Sequence, residues 1–285
     1  MRTVEEMYEL ILKFAENDDR VRCVYLNGSR VDERYCDEYS DFDIIYIVND
    51  IASFTGDDKW LDYFGKRLVM QKTSDWSGHP YDYDGYENYT YLMQYYDGNR
   101  IDLTLVDTRN IDYAVKHTDE PRKILLDKDG YNLPDIAYEG FYKIKKPTQR
   151  LFNENLNEFW WMCVVCAKGL CRNEITYVKG MMEHYQYARF FTMLRWLKGV
   201  RTDFKAEMTK YAKDIANFIS DEEYEMFVKS FGNGDVQNIW DSLFARCDFF
   251  MKISQEVAEK LDFAINENGN DVISHIRKMR ENFLK

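Results

Sequence analysis

The sequence predicts an α+β chain, with a mixed-sheet domain over residues 1–147 and an α-helical bundle domain over residues 148–285. Three observations predict it. In the first half, short apolar and β-branched runs alternate with amphipathic segments. After Lys145-Lys146-Pro147 there is no further proline, and apolar positions repeat with helical period. Turn-forming residues such as Asp97-Gly98-Asn99 punctuate the first half, and Gly232-Asn233-Gly234 breaks the second.

The elements follow in order. Val4, Met7, Leu10, Ile11 and Phe14 share one helical face, predicting a helix over residues 4–16. Val21-Arg22-Cys23-Val24-Tyr25-Leu26 reads as a strand ending at Gly28, and residues 43–48 read as a strand buried on both faces. Residues 59–64 look helical, and Leu68-Val69-Met70 is a short strand candidate. Residues 75–88, with Trp76 and His79, read as a loop able to close over a substrate. Residues 89–95 and 101–106 form a predicted hairpin across Asp97-Gly98-Asn99. Helices are expected near 149–168, 172–198, 209–218, 221–230, 236–265 and 270–283.

Bulk properties narrow the function classes. A chain of 285 residues, 45% hydrophobic, can bury a sizeable core. It has no run of eighteen apolar residues, so no membrane span is expected. The charged, amphipathic N-terminus lacks signal-peptide features, so a cytoplasmic location is expected. Six scattered cysteines read as free thiols, and Cys163-Val164-Val165-Cys166 as buried structural thiols rather than half a zinc site. Fifty acidic residues against thirty-eight basic give a formal charge of −12. That balance disfavours a nucleic-acid partner and suits a small cationic one, although negative charge also simply favours solubility.

The chemistry lies in Gly28-Ser29-Arg30 and Asp41-Phe42-Asp43. Glycine lets a backbone approach phosphate closely, consecutive amides can cradle its oxygens, the Ser29 hydroxyl can donate, and Arg30 can neutralise charge. Asp41 and Asp43 are two apart, so on an extended segment they share a face and repel unless a cation lies between them. Hard oxygen ligands at a strand end suit magnesium. An Asp-x-Asp before a strand is also what a solvated turn looks like. Asp102, inside the apolar run 101–106, is a third carboxylate. If its strand lies beside residues 43–48, Asp102 reaches the same metals, as ligand or general base. An edge-strand aspartate facing solvent is the plainer alternative.

These residues resemble the nucleotidyltransferase superfamily shared with DNA polymerase beta. The stretches 26–30, 41–48, 91–93, 101–105, Asp127-Lys128-Asp129-Gly130, Asn157-Glu158-Phe159-Trp160 and Lys168-Gly169-Leu170-Cys171-Arg172 are similar to the aminoglycoside 6-adenylyltransferases. The resemblance covers nearly the whole chain. It implies an N-terminal nucleotidyltransferase domain of polymerase beta type and a helical substrate-binding domain, with ATP and drug meeting in the cleft between them. It implies transfer of AMP from ATP to an aminoglycoside hydroxyl, the 6-hydroxyl of streptomycin foremost, with release of pyrophosphate. Asp41, Asp43 and Asp102 would be the catalytic and metal-binding residues, with two magnesium ions about 3.5–4 Å apart. Gly28, Ser29 and Arg30 would hold the triphosphate. Lys205 and Lys210, read as lying on one helical face with Lys213, match family lysines and would reach the phosphates. Thr209 stands where similar members have glycine.

Drug contacts are less marked. Glu158 with Trp160 or Trp161 could bind an ammonium or guanidinium group by charge and cation–π contact, although such tryptophans are commonly core. Glu183 and His184, mid-helix, could line the cleft. ATP and a cationic aminoglycoside are the expected partners of a monomer or homodimer, without nucleic acid or membrane. Other readings left open are the same transfer to another small-molecule or protein hydroxyl, a non-catalytic ATP- or drug-binding homologue, and a polynucleotide-binding transferase.

Overall fold

A computed structural model describes residues 1–75, 88–112, 121–137 and 142–283. Trp76 and His79, and most of the loop expected around them, lie outside the described residues. The chain divides into two compact units, Met1–Phe141 and Tyr142–Lys285, so the expected boundary at 147/148 falls just inside the second.

Among the described residues, the first unit holds a six-stranded mixed sheet. Helix α1 (Val4–Asn17) starts at a capping box between Thr3 and Glu6 and buries Met7, Ile11 and Ala15. Strands β1 (Val21–Asn27), β2 (Phe42–Val48), β3 (Arg67–Lys72), β4 (Asn88–Tyr95), β5 (Arg100–Asp107) and β6 (Arg122–Asp127) take the order β3-β4-β5-β2-β1-β6. A short helix α2 (Ala52–Thr55) and a 3₁₀ segment (Asp58–Phe64) follow β2. β2 and β5 run parallel, and the other pairs are antiparallel. The two-residue period sorts the central strands into two faces. Phe42, Ile44, Tyr46 and Val48 join α1 in the larger core, where the Tyr46 hydroxyl donates to the Ile11 carbonyl at 2.7 Å. Ile45 and Ile47 face a smaller cluster with Cys23, Tyr25 and Val106.

Strand β6 is an addition to the sequence-based expectation. Its apolar stretch Ile124-Leu125-Leu126 is only half-buried. It is closed by Asp127, whose carboxylate accepts the backbone N–H groups of Asp129, Gly130, Tyr131 and Asn132. Those bonds hold the Asp127 carboxyl below the usual range despite desolvation, which acts the other way.

The second unit is helical. Its helices are α3 (Gln149–Cys171), α4 (Ile175–Gly180), α5 (Tyr187–Arg201), α6 (Asp221–Lys229), α7 (Val236–Leu261) and α8 (Gly269–Phe283). A π-helical turn, Met181–Gln186, joins α4 to α5, so the single helix expected over 172–198 is widened in its middle. The fully buried Arg246 donates there to the Met182 carbonyl and Gln186 Oε1, at 2.9 and 3.2 Å. Phe159 stacks on Phe250 with ring centroids 3.5 Å apart. Cys163, Cys166 and Cys247 are buried free thiols, and burial pushes Cys166 up to about 12.

The helix expected over 209–218 is not formed. Two 3₁₀ turns, Lys210–Ala212 and Ile215–Asn217, stand there, and Asp203, Phe204, Tyr211 and Ala212 have positive φ. The Asp214 carboxylate accepts from the Thr209 hydroxyl at 2.6 Å and from the Lys198 ammonium, which pins the irregular path.

Candidate active site

The site is assembled where β1 ends and β2 and β5 begin. Register places Asp102 beside Asp43, and Asp43 beside Asn27, across three adjacent strands. Neighbours in register present their side chains on one face, here the face of the smaller core. The adjacency of residues 43–48 and 101–106, on which a common role for Asp102 depends, is thus present in parallel form. A cavity of about 670 Å³ lined by Val4, Tyr8, Leu12 and Leu26 lies on the opposite, α1 side of the sheet.

Gly28 follows Asn27 with φ 73° and ψ −156°, a conformation that essentially only glycine adopts. A Cβ built there would overlap Asp43 Oδ2 and lie 2.9 Å from Asp43 Cγ. Glycine therefore serves two purposes here, the turn itself and the seat of the Asp43 carboxylate. Ser29 opens the 3₁₀ turn Ser29–Val31 and is half-buried.

Arg30 has a different task from the one the sequence suggests. Its side chain is buried, and Nε donates to the carbonyls of Ser40 and Asp41, both at 3.1 Å. Nη2 donates to Ser40 and Asp37 carbonyls at 2.6 and 3.3 Å, and the guanidinium lies 4.0 Å over the Phe42 ring. These donors face the backbone that carries Asp41, so Arg30 ties the Gly28-Ser29 turn to the Asp41-x-Asp43 segment.

Arg100 is the residue that sequence reasoning missed. It lies two positions before Asp102 on β5 and so shares its face. Nε donates to Asp102 Oδ1 at 2.7 Å and Nη2 to Oδ2 at 2.6 Å, a bidentate pair, while Nη1 is 3.1 Å from Asp41 Oδ2. Hydrogen bonding to Asp102 raises the guanidinium above its ordinary value, and the charges of Asp41 and Asp43 add to this. The Arg-x-Asp spacing was the available signal.

Among the described residues, no three His, Cys, Asp or Glu side chains stand close enough around one point to hold a metal as they are. The Arg100 fork instead bridges Asp41 and Asp102. The donor set nevertheless fits a magnesium-like ion. It offers hard carboxylate oxygens from Asp41 just before β2, Asp43 on β2 and Asp102 on β5, all partly exposed, with three negative charges to neutralise.

The second unit's candidate residues are dispersed. Trp160 is buried, packs edge-on against Phe250 at 5.6 Å and abuts Gly269, so it is a core residue and not a drug contact. Glu158 is exposed, and so is Trp161 next to the buried Trp160. Glu183 sits in the π turn, 3.2 Å from Lys179 Nζ and 3.8 Å from Arg246 Nη2. Lys205 and Lys210 are both exposed but do not share a helix. Lys205 follows the end of α5, with Nζ 3.6 Å from Asp203, and Lys210 opens a 3₁₀ turn. The left-handed residues Asp203 and Phe204 turn the chain out of the helix before it reaches Lys205.

The profile of the family described as streptomycin adenylyltransferase matches residues 1–279. An aminoglycoside 6-adenylyltransferase of Campylobacter jejuni is 34% identical over 99% of this chain and 98% of its own length. One from Bacillus subtilis is 34% identical over 92% of this chain and 93% of its own. A crystal structure of an aminoglycoside 6-adenyltransferase from Bacillus subtilis is similar over 98% of this chain and 99% of that one, at 30% identity and a TM-score of 0.47.

Proposed function

Because the chain belongs to the streptomycin adenylyltransferase family, we propose that it transfers AMP from ATP to a hydroxyl of an aminoglycoside, the 6-hydroxyl of streptomycin, and thereby inactivates the drug. The observation that carries this reading is the register match of Asp43 with Asp102 beside the Gly28-Ser29 turn. It brings two carboxylates on neighbouring strands next to a glycine turn whose backbone the Asp43 carboxylate approaches directly.

In the proposed reaction the drug oxygen forms a bond to the α-phosphorus of ATP. The bond from that phosphorus to the bridging oxygen breaks, and pyrophosphate leaves. The Asp102 carboxylate takes the hydroxyl proton. Magnesium held by Asp41, Asp43 and Asp102 would supply electrostatic stabilisation of the attacking and leaving oxygens. The Ser29 hydroxyl and the amides of the turn bind phosphate oxygens, and Arg30 holds Asp41 in position from behind. The excess of acidic residues favours a polycationic acceptor.

Purified protein incubated with ATP, magnesium and streptomycin tests the reading. The drug is expected to gain the mass of one AMP group, with one pyrophosphate released per adduct. No adduct with streptomycin or any related aminocyclitol, with ATP left intact, contradicts it.

A further inference from the structure

Three carboxylates gathered at one sheet end repel one another, and in this structure a guanidinium stands among them. We propose that Arg100 is the resident counter-cation of the site: it holds Asp41 and Asp102 in place while no metal is bound, and yields them to an arriving divalent cation. The inference rests on the metal-binding reading above and extends it to a residue outside the carboxylate set.

The geometry supports an exchange. Both oxygens of Asp102 accept from Arg100, and Oδ2 of Asp41 faces Nη1 at 3.1 Å. Those oxygens are among the ones through which the carboxylates would hold a metal, so Arg100 and the metal would compete for them. The planar fork suits this work better than an ammonium would, because its fixed donors span two carboxylates at once. The Arg100 side chain is 34% exposed, which leaves it solvent-facing room to withdraw. Its neighbour in the strand, Ile101, is buried, so the β5 backbone stays anchored while the side chain moves. Without Arg100, the metal-free carboxylates lose the counter-charge it supplies, and a divalent cation no longer competes with its guanidinium.

Manganese titrations without nucleotide, followed by loss of the free-ion spin-resonance signal, test this on wild type, Arg100→Met, Arg100→Lys and Asp102→Asn. Arg100→Met is expected to bind manganese about tenfold more tightly, in keeping with what one adjacent charge does to a carboxylate. Arg100→Lys, which keeps the charge but not the fork, falls between, and Asp102→Asn binds more weakly than wild type. Arg100→Met is also expected to melt at lower temperature in chelator and to gain more from manganese than wild type does. If Arg100→Met binds no more tightly than wild type while Asp102→Asn binds more weakly, the role of Arg100 is overturned and the metal site stands. If Asp102→Asn leaves binding unchanged, or no protein binds manganese into the millimolar range, the metal reading falls and the Arg100 inference falls with it.

Discussion

Asp102→Asn is expected to lower kcat/KM for adenylyl transfer by about 10³-fold, within the range of about 10²–10⁴ for losing a general base. The substitution keeps size and one acceptor oxygen, and the strand position is secured by its neighbours. Ile101 and Leu103 are buried in the larger core, and Thr104 exchanges a 3.0 Å hydroxyl contact with Thr90 on β4. The melting temperature therefore changes little compared with the rate. Steady-state kinetics with ATP and streptomycin, alongside a thermal melt, check the prediction. A variant that retains wild-type turnover would remove Asp102 from the chemistry and leave it as a partner for Arg100 only.

Gly28→Ala is expected to reduce turnover by at least about 10²-fold and to lower stability by about 1–3 kcal/mol. The stability loss follows from placing a Cβ on a backbone that essentially only glycine adopts. The rate loss has a separate cause. The added methyl meets the Asp43 carboxylate, which must move away from its place opposite Asp102. Displacements of about 1 Å at a reacting site are enough for losses of this size. Denaturant unfolding gives the first quantity and initial rates give the second. Near-normal turnover in a folded Gly28→Ala protein would mean that the seat of Asp43 on Gly28 is not needed.

The strands that carry the site are legible because they are largely apolar runs into which a carboxylate is set. Asp43 is the second residue of β2 and Asp102 stands near the start of β5, and both turn out to face the same side. Period-two geometry makes that outcome readable once the strands are known to be neighbours. Tertiary placement is what the sequence did not disclose. Arg30 and Arg100 are both cations beside aspartates, yet one grips backbone carbonyls while stacked over Phe42 and the other bridges carboxylates. Nothing in local spacing separates those two tasks. Trp160 and Trp161 present the same difficulty on a helix, where a single step of rotation puts one in the core and the other in solvent. The stretch 209–218 defeated periodicity for a different reason. Its apolar residues are at helical spacing, but the Asp214 carboxylate, clamped by Thr209 and Lys198, stabilises an irregular path instead.

The claim that Asp41, Asp43 and Asp102 form one nucleotidyl-transfer site is tested most directly by locating a metal in crystals grown with manganese and a non-hydrolysable ATP analogue. Anomalous density is expected about 2.1 Å from carboxylate oxygens of Asp41, Asp43 and Asp102, with the analogue's phosphates against the Gly28-Ser29 turn and Arg100 withdrawn from Asp41 and Asp102. Metal bound to the analogue alone, with Arg100 still bridging Asp41 and Asp102, would contradict it.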